Sequence, residues 1–186
     1  MPARWLIAFA ATLLAGASCR RAPGEDTPAT SARPSASAAA EAEALEVAAR
    51  GIVAFLRGEA PLAGVALADS VALYVSPEGG GGRTVIARPA LARPEGWVAR
   101  SAGRSYTLVP PPGLTKLITR VGRHLDCREY PLSSRFPELA RLPHVGTMLQ
   151  SADAGSCLRT WNVTFVFDSA ARPPRLVAAV YDQWEW

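Results

Sequence analysis

The chain has 186 residues and a formal net charge of +4, with hydrophobic residues at 49% and charged residues at 19%. This length leaves room for one globular domain and an additional segment, and it excludes a multidomain assembly. The apolar fraction is typical of a folded core, and the charge is too small for an acidic disordered tail or a nucleic-acid-binding arm.

The first residues have the order of an export signal. Residues 1–4 carry one positive charge, and residues 5–15 form an apolar run interrupted only by Thr12. A membrane-spanning helix needs about 20 apolar residues, so we predict that residues 1–18 are a cleaved signal peptide. The small-x-small stretch at residues 15–17 suits an ordinary signal peptidase, which makes soluble secretion the alternative.

Small residues run directly into Cys19, and this segment resembles the lipobox of bacterial lipoproteins. The resemblance covers residues 1–19 and departs from the family pattern at Gly16, where leucine, valine or isoleucine is usual. It implies that Cys19 becomes the lipid-carrying first residue of the mature chain. The protein would then be anchored to a membrane of the bacterial cell envelope, or be secreted or periplasmic if Cys19 is not lipidated.

The number of cysteines favours the lipid anchor. The chain has three, Cys19, Cys127 and Cys157, and an odd number in an exported protein suggests a separate role for one of them. A Cys127–Cys157 disulfide would close a loop of about 30 residues and stabilise the domain by about 3–4 kcal/mol in the chain-entropy model. The alternative is a pair of buried free thiols.

Residues 19–37 are rich in Pro, Ala, Ser and Thr and contain no aliphatic side chain larger than alanine. Such a segment cannot bury enough apolar surface to offset the entropy of ordering, so it is predicted to be a disordered tether. Residues 38–186 are then the single folded domain.

Apolar residues recur at helical spacing over residues 38–57, which predicts a long N-terminal helix ending before Gly58. Four strand-like runs follow, over residues 70–76, 83–87, 97–100 and 105–109. The first two are separated by a glycine-rich turn and predict a hairpin.

The middle of the chain is less regular. Residues 114–125 fit a helix or a strand, and residues 126–155 are turn-rich and predict a loop with a short helix start at Ser134. Two longer alternating runs, residues 158–167 and 176–186, predict a second hairpin whose last strand carries its even-numbered apolar residues on one face.

One helix followed by mostly antiparallel strands predicts an α+β fold, with the helix packed on a curved sheet. By element order alone, the domain resembles cystatin-like and NTF2-like cone folds. For an NTF2-like hydrolase or isomerase, the resemblance implies a carboxylate site inside the cone. The residues of the right types are Asp69, Asp126, Asp182, Tyr74, Tyr106 and Tyr181.

Other chemistry is not supported by the spacing of the residues. Gly79–Gly82 lacks the pattern and the lysine of a phosphate-binding loop and suits a hairpin tip. His124, Cys127, His144 and Cys157 are zinc-type ligands, but their gaps are irregular and an exported location favours thiol oxidation. There is no G-x-S-x-G motif of a serine hydrolase, so we assign no catalytic residue. From the spacings described above we also assign no metal and no cofactor.

The charge is unevenly distributed along the chain. Residues 79–125 contain eight basic side chains and one acidic side chain, a net +7, whereas residues 38–78 carry a net −4. This asymmetry predicts a basic face suited to an anionic surface or an acidic partner, with a solvated rim as the alternative. The candidate residues are Arg100, Arg104, Arg120 and Arg123.

The sequence therefore predicts an envelope lipoprotein with a non-catalytic domain that binds another envelope protein or an anionic surface. Nucleic acid is not expected, because the compartment is wrong and aromatic-basic interleaving is missing. The alternatives are a cone-fold enzyme, a structural protein without a ligand, and an aromatic cleft formed by Trp97, Trp184 and Trp186. A deep pocket with a buried carboxylate would favour the enzyme, and a filled interior with exposed arginines would favour binding.

Overall fold

The computed structural model describes residues 35–62, 64–75, 81–125, 131–153 and 159–182. This part of the chain is α+β, with a mostly antiparallel sheet and few helices, and residues from Pro34 onward form one compact unit. The predicted signal peptide, most of the predicted tether and the cysteines Cys19, Cys127 and Cys157 lie outside the described residues.

Helix α1 spans Ala36–Leu56. It begins where the Ser35 hydroxyl accepts a hydrogen bond from the Ala38 amide at 3.2 Å, a side-chain cap for one of the unpaired N–H groups of the first turn. It ends at Gly58, whose positive φ of 72° allows the amides of residues 58 and 59 to bond back into the last turn. No helix among the described residues is long and apolar enough to cross a membrane.

The strands are β1 (Ala66–Val75), β2 (Gly82–Ala87), β3 (Val98–Ser101), β4 (Arg104–Thr107), β5 (Lys116–Val121), β6 (His144–Gln150), β7 (Thr160–Asp168) and β8 (Arg175–Asp182). Six of them form one sheet in the order β2-β1-β8-β7-β6-β5, and β3 and β4 form a separate hairpin. All neighbours are antiparallel except β1 and β8, which pair in parallel.

The predicted hairpins are confirmed: β1 pairs with β2 and β7 pairs with β8. The segment at residues 114–125 forms strand β5. The prediction of a loop over residues 126–155 is wrong for its second half, because the described part of that range contains β6. Where the sequence predicted a short helix start at Ser134, the structure has two short helices, α2 (Leu132–Arg135) and α3 (Pro137–Ala140).

We call the two faces of the six-stranded sheet face A and face B. Face A packs against α1 and the β3–β4 hairpin and holds the main core, in which the largest fully buried side chains include Trp97, Trp161, Phe165 and Phe167. Face B is partly covered by α2 and α3, and Leu132 and Leu139 pack there on Val166 and Val180.

The even-numbered apolar residues of the last strand do not share one face, contrary to the sequence prediction. The register shifts between Val166 and Phe167, opposite the beginning of β8, as at a β-bulge. Leu176 therefore joins the core on face A, whereas Ala178 and Val180 lie on face B.

Candidate functional site

The candidate site lies on face B, where the chain that leaves β5 crosses over β6. At Gly122, φ is +69°, and its amide donates a hydrogen bond to the His144 carbonyl at 2.8 Å. The next residues pass directly over Gly146. A Cβ at Gly146 would overlap the Arg123 carbonyl oxygen and lie 2.9 Å from the Leu125 nitrogen, so this crossing requires glycine.

The crossing places His124 in a buried polar network on face B. Its Nε2 lies 2.6 Å from Oδ2 of Asp182 on β8, and its Nδ1 lies 2.8 Å from Oγ1 of Thr164 on β7. The Arg135 guanidinium of α2 donates to the other carboxylate oxygen, Oδ1 of Asp182, at 2.7 Å. The histidine and aspartate side chains are each 1% exposed, and the arginine side chain is 19% exposed.

The arrangement of this network limits what His124 can do chemically. A carboxylate oxygen only accepts hydrogen bonds, so Nε2 carries the hydrogen that faces Asp182, in a close contact that is not linear. The remaining nitrogen, Nδ1, is occupied by the Thr164 hydroxyl. Since both ring nitrogens are engaged with the protein, the imidazole is positioned to hold the structure together, and neither nitrogen faces a substrate as a general base.

The network also attaches α2 and α3 to the sheet. Each helix has only four residues and is too short to be stable on its own. The Phe136 ring, which follows α2, packs edge-on against Tyr74 of β1 at a centroid distance of 5.0 Å. Arg135 and Phe136 thus attach the helical segment to the sheet at two points, the first through an ion pair with Asp182 and the second through a ring contact with Tyr74.

A cleft of about 590 Å³ lies between α2–α3 and the end of β6. This volume falls within the range of small-molecule sites. Its lining includes the side chains of Arg123, Leu125, Leu132, Ser133, His144 and Met148.

Two other basic side chains of the cleft, His144 and Arg123, keep polar groups that are available to a ligand. The Nδ1–H of His144 donates to the Leu142 carbonyl at 2.8 Å, which leaves Nε2 of the neutral ring as a lone-pair acceptor. His144 is only 9% exposed as a residue, but its Nε2 is not one of the fully enclosed unpaired atoms, and it makes no hydrogen bond within the described part of the chain, so it is open to the cleft. Arg123 is exposed and makes no ion pair with any described residue.

The structure separates the predicted basic residues into two pairs. Arg100 and Arg104 lie in the β3–β4 hairpin, which contacts β2 where the Arg100 amide donates a hydrogen bond to the Thr84 hydroxyl oxygen at 2.8 Å. Arg120 lies near the end of β5, the opposite edge strand of the sheet, and Arg123 follows it into the cleft. The edge strands β2 and β5 are five strand spacings apart, roughly 24 Å, so the two pairs lie in distant parts of the domain.

The other candidates are dispersed. The Asp69 side chain is 99% exposed, Asp182 is in the buried network, and Asp126 lies outside the described residues. Trp97 is fully buried and donates from Nε1 to the Leu91 carbonyl at 3.0 Å, so it closes the core, while Trp184 and Trp186 lie outside the described residues.

The described residues contain no cluster of three or more potential metal ligands among His, Cys, Asp and Glu. Comparison of the chain with protein-family profiles, with curated proteins and with solved structures gave no match.

Arg135 was not among the residues predicted from the sequence, and His124 and Asp182 were predicted only as separate members of other candidate sets. The sequence contained one signal for the network, because Asp182 occupies the next even-numbered position after the apolar residues Ala178 and Val180 of the last strand. A carboxylate in an apolar stripe requires a buried partner. The identity of that partner depends on the crossing at Gly146, for which the local pattern contains no signal.

Proposed function

We propose that the protein is an exported lipoprotein whose domain binds an anionic component of the cell envelope through the cleft on face B. The observation that carries this proposal is the cleft itself, in which an exposed arginine, Arg123, lies beside a buried histidine, His144, with an open ring nitrogen. Arginine suits a carboxylate or phosphate group, because its planar guanidinium forms two parallel hydrogen bonds to such anions.

Three observations favour binding over catalysis. Face A is packed with large aromatic side chains, and the described residues of its core include no buried carboxylate of the kind that a cone-fold site needs. The buried carboxylate of Asp182 is already paired with His124 and Arg135. The groups that remain available in the cleft can bind and orient a ligand, and among its described lining residues no nucleophile is hydrogen-bonded to a base.

The N-terminal part of the proposal rests on the sequence. A signal peptide over residues 1–18, a lipid on Cys19 and a tether to residue 37 would hold the domain a short distance from the membrane. In this proposal the domain keeps the cone-like arrangement of a long N-terminal helix on a curved sheet, since the buried stripe of α1 packs on face A. Mass spectrometry of the membrane-extracted protein should find diacylglyceryl on Cys19, and an unmodified Cys19 amino terminus would contradict the anchor.

Photo-crosslinking in cells tests the binding surface. A photoreactive amino acid at Ser133, which is exposed at the cleft, should give a defined adduct with one envelope component, identified by mass spectrometry. The matched control carries it at Val47, which is 63% exposed on α1. Absence of an adduct at position 133, or identical adducts at both positions, would contradict the proposal and favour a structural protein without a ligand.

A further inference from the structure

We infer that the cleft binds a small hydroxylated carboxylate with an apolar chain. This inference rests on the proposed function and adds the chemical class of the ligand. Each part of such a molecule has a counterpart in the cleft: Arg123 for the carboxylate, His144 for the hydroxyl, and Leu125, Leu132 and Met148 for the chain.

The position for the carboxylate follows from the backbone. Because the Gly122 amide donates a hydrogen bond to the His144 carbonyl, the backbone of Arg123 lies close to His144, at the same end of the cleft. Arg123 is exposed and unpaired within the described chain, so an anion does not have to displace an internal carboxylate to reach it. A charge-assisted hydrogen bond of this kind contributes more than a neutral one, and its loss should weaken binding about tenfold.

The requirement for a hydroxyl follows from the tautomer of His144. A backbone carbonyl cannot donate, so the hydrogen bond to Leu142 fixes the ring hydrogen on Nδ1 and leaves Nε2 as an acceptor. Because Nε2 is open to the cleft, water can satisfy it in the free protein, and a ligand that displaces this water keeps the acceptor satisfied only if it places an O–H group there. A simple carboxylate supplies only acceptors and leaves Nε2 unsatisfied, so it should bind less tightly than its hydroxylated analogue.

The apolar part of the cleft explains why the ligand needs a chain. Leu125, Leu132 and Met148 come from three different segments and face the same space. Burying methylene groups against them should strengthen binding about fourfold for each fully buried group. A short hydroxy acid would use only the polar end of the cleft and should bind weakly.

Isothermal titration calorimetry on the mature chain from residue 19, with Cys19→Ser so that it carries neither the signal peptide nor the lipid, tests the inference. The probes are 3-hydroxyoctanoate, octanoate and 1-octanol. We expect 3-hydroxyoctanoate to bind once per chain, octanoate to bind several-fold more weakly, and 1-octanol to bind at least tenfold more weakly. Equal affinities of octanoate and 1-octanol, or of the two acids, would overturn the inference without any variant being needed.

Two variants assign the contacts. Arg123→Gln should weaken both acids about tenfold, whereas Arg100→Gln, the same substitution on the distant hairpin, should leave them unchanged. His144→Phe should abolish the preference for the hydroxylated acid while octanoate still binds. Equal effects of Arg123→Gln and Arg100→Gln would show nonspecific attraction and overturn the inference. If no probe binds but the adduct at position 133 forms, the ligand class is wrong and the proposed function stands.

Discussion

The buried network predicts graded effects of two substitutions at Asp182. In Asp182→Ala, the Arg135 guanidinium loses its carboxylate, and His124 loses the acceptor that faces Nε2. In Asp182→Asn, the shape of the side chain is kept. The amide oxygen can accept from Arg135, and the amide N–H can donate to Nε2 if the ring hydrogen moves to Nδ1 and is donated to Thr164.

The magnitudes follow from burial. Removing one partner of a fully buried ion pair costs about 3–5 kcal/mol. Because the Arg135 side chain is 19% exposed and can regain some hydration, we expect about 3 kcal/mol for Asp182→Ala. Asp182→Asn keeps its partners but loses the charge, and we expect about 1–2 kcal/mol. For a domain of this size these values correspond to a decrease in Tm of about 6–12 °C and about 2–8 °C.

Urea denaturation measures both changes in the free energy of unfolding, provided that the m-values of the variants stay equal. The matched control is Asp69→Ala, at a side chain that is 99% exposed, which should cost less than about 0.5 kcal/mol. If Asp182→Ala costs no more than this control, the network does not stabilise the fold. If the asparagine variant costs as much as the alanine variant, the alternative hydrogen-bond arrangement does not form.

Three further outcomes are expected. Gly146→Ala should destabilise the domain by about 1–3 kcal/mol, because the added Cβ would displace the crossing chain. The control is Gly81→Ala, whose Cβ meets only an ordinary 3.5 Å contact and which should be nearly neutral in the same assay. Equal costs of the two substitutions would refute the close approach at Gly146. Burial raises the pKa of Tyr181 to about 12. Deprotonation of the unfolded chain near pH 10 should therefore reduce stability by about 1–2 kcal/mol between pH 10 and 12, and Tyr181→Phe should remove this part of the loss. Alkylation followed by intact mass analysis should label Cys127 and Cys157 only after reduction, and labelling without reductant would exclude the disulfide.

The parts of the fold that were predicted correctly are those specified by neighbouring residues. Alternation with a turn signal between two runs is sufficient to identify the β1–β2 and β7–β8 hairpins. Strand β6 was missed because Pro143 and Gly146 are typical of turns. In the structure Gly146 lies inside a strand, where its small size accommodates another segment of backbone rather than a turn.

The parallel pairing of β1 with β8 depends on contacts between the two ends of the domain, which a local pattern does not encode. The bulge at the start of β8 is also not encoded in the local pattern, because it places Leu176 on face A without changing the alternation of the sequence. The uneven charge of the chain was visible in the sequence. Its division into two distant pairs followed only from the tertiary structure, in which Arg100 of the separate hairpin contacts edge strand β2 and Arg120 lies on the opposite edge strand, β5.

Binding at the cleft and docking of α2–α3 should be coupled, because the helical segment that Arg135 attaches to Asp182 also supplies Leu132 and Ser133 to the cleft. A ligand present at 100 times its Kd stabilises the state that binds it by about 2.7 kcal/mol. This is similar to the expected cost of Asp182→Ala, so saturating 3-hydroxyoctanoate should restore much of the Tm of that variant. Its apparent affinity should also fall, since part of the binding free energy then orders the helices. An unchanged affinity would show that the wall of the cleft is held independently of Asp182.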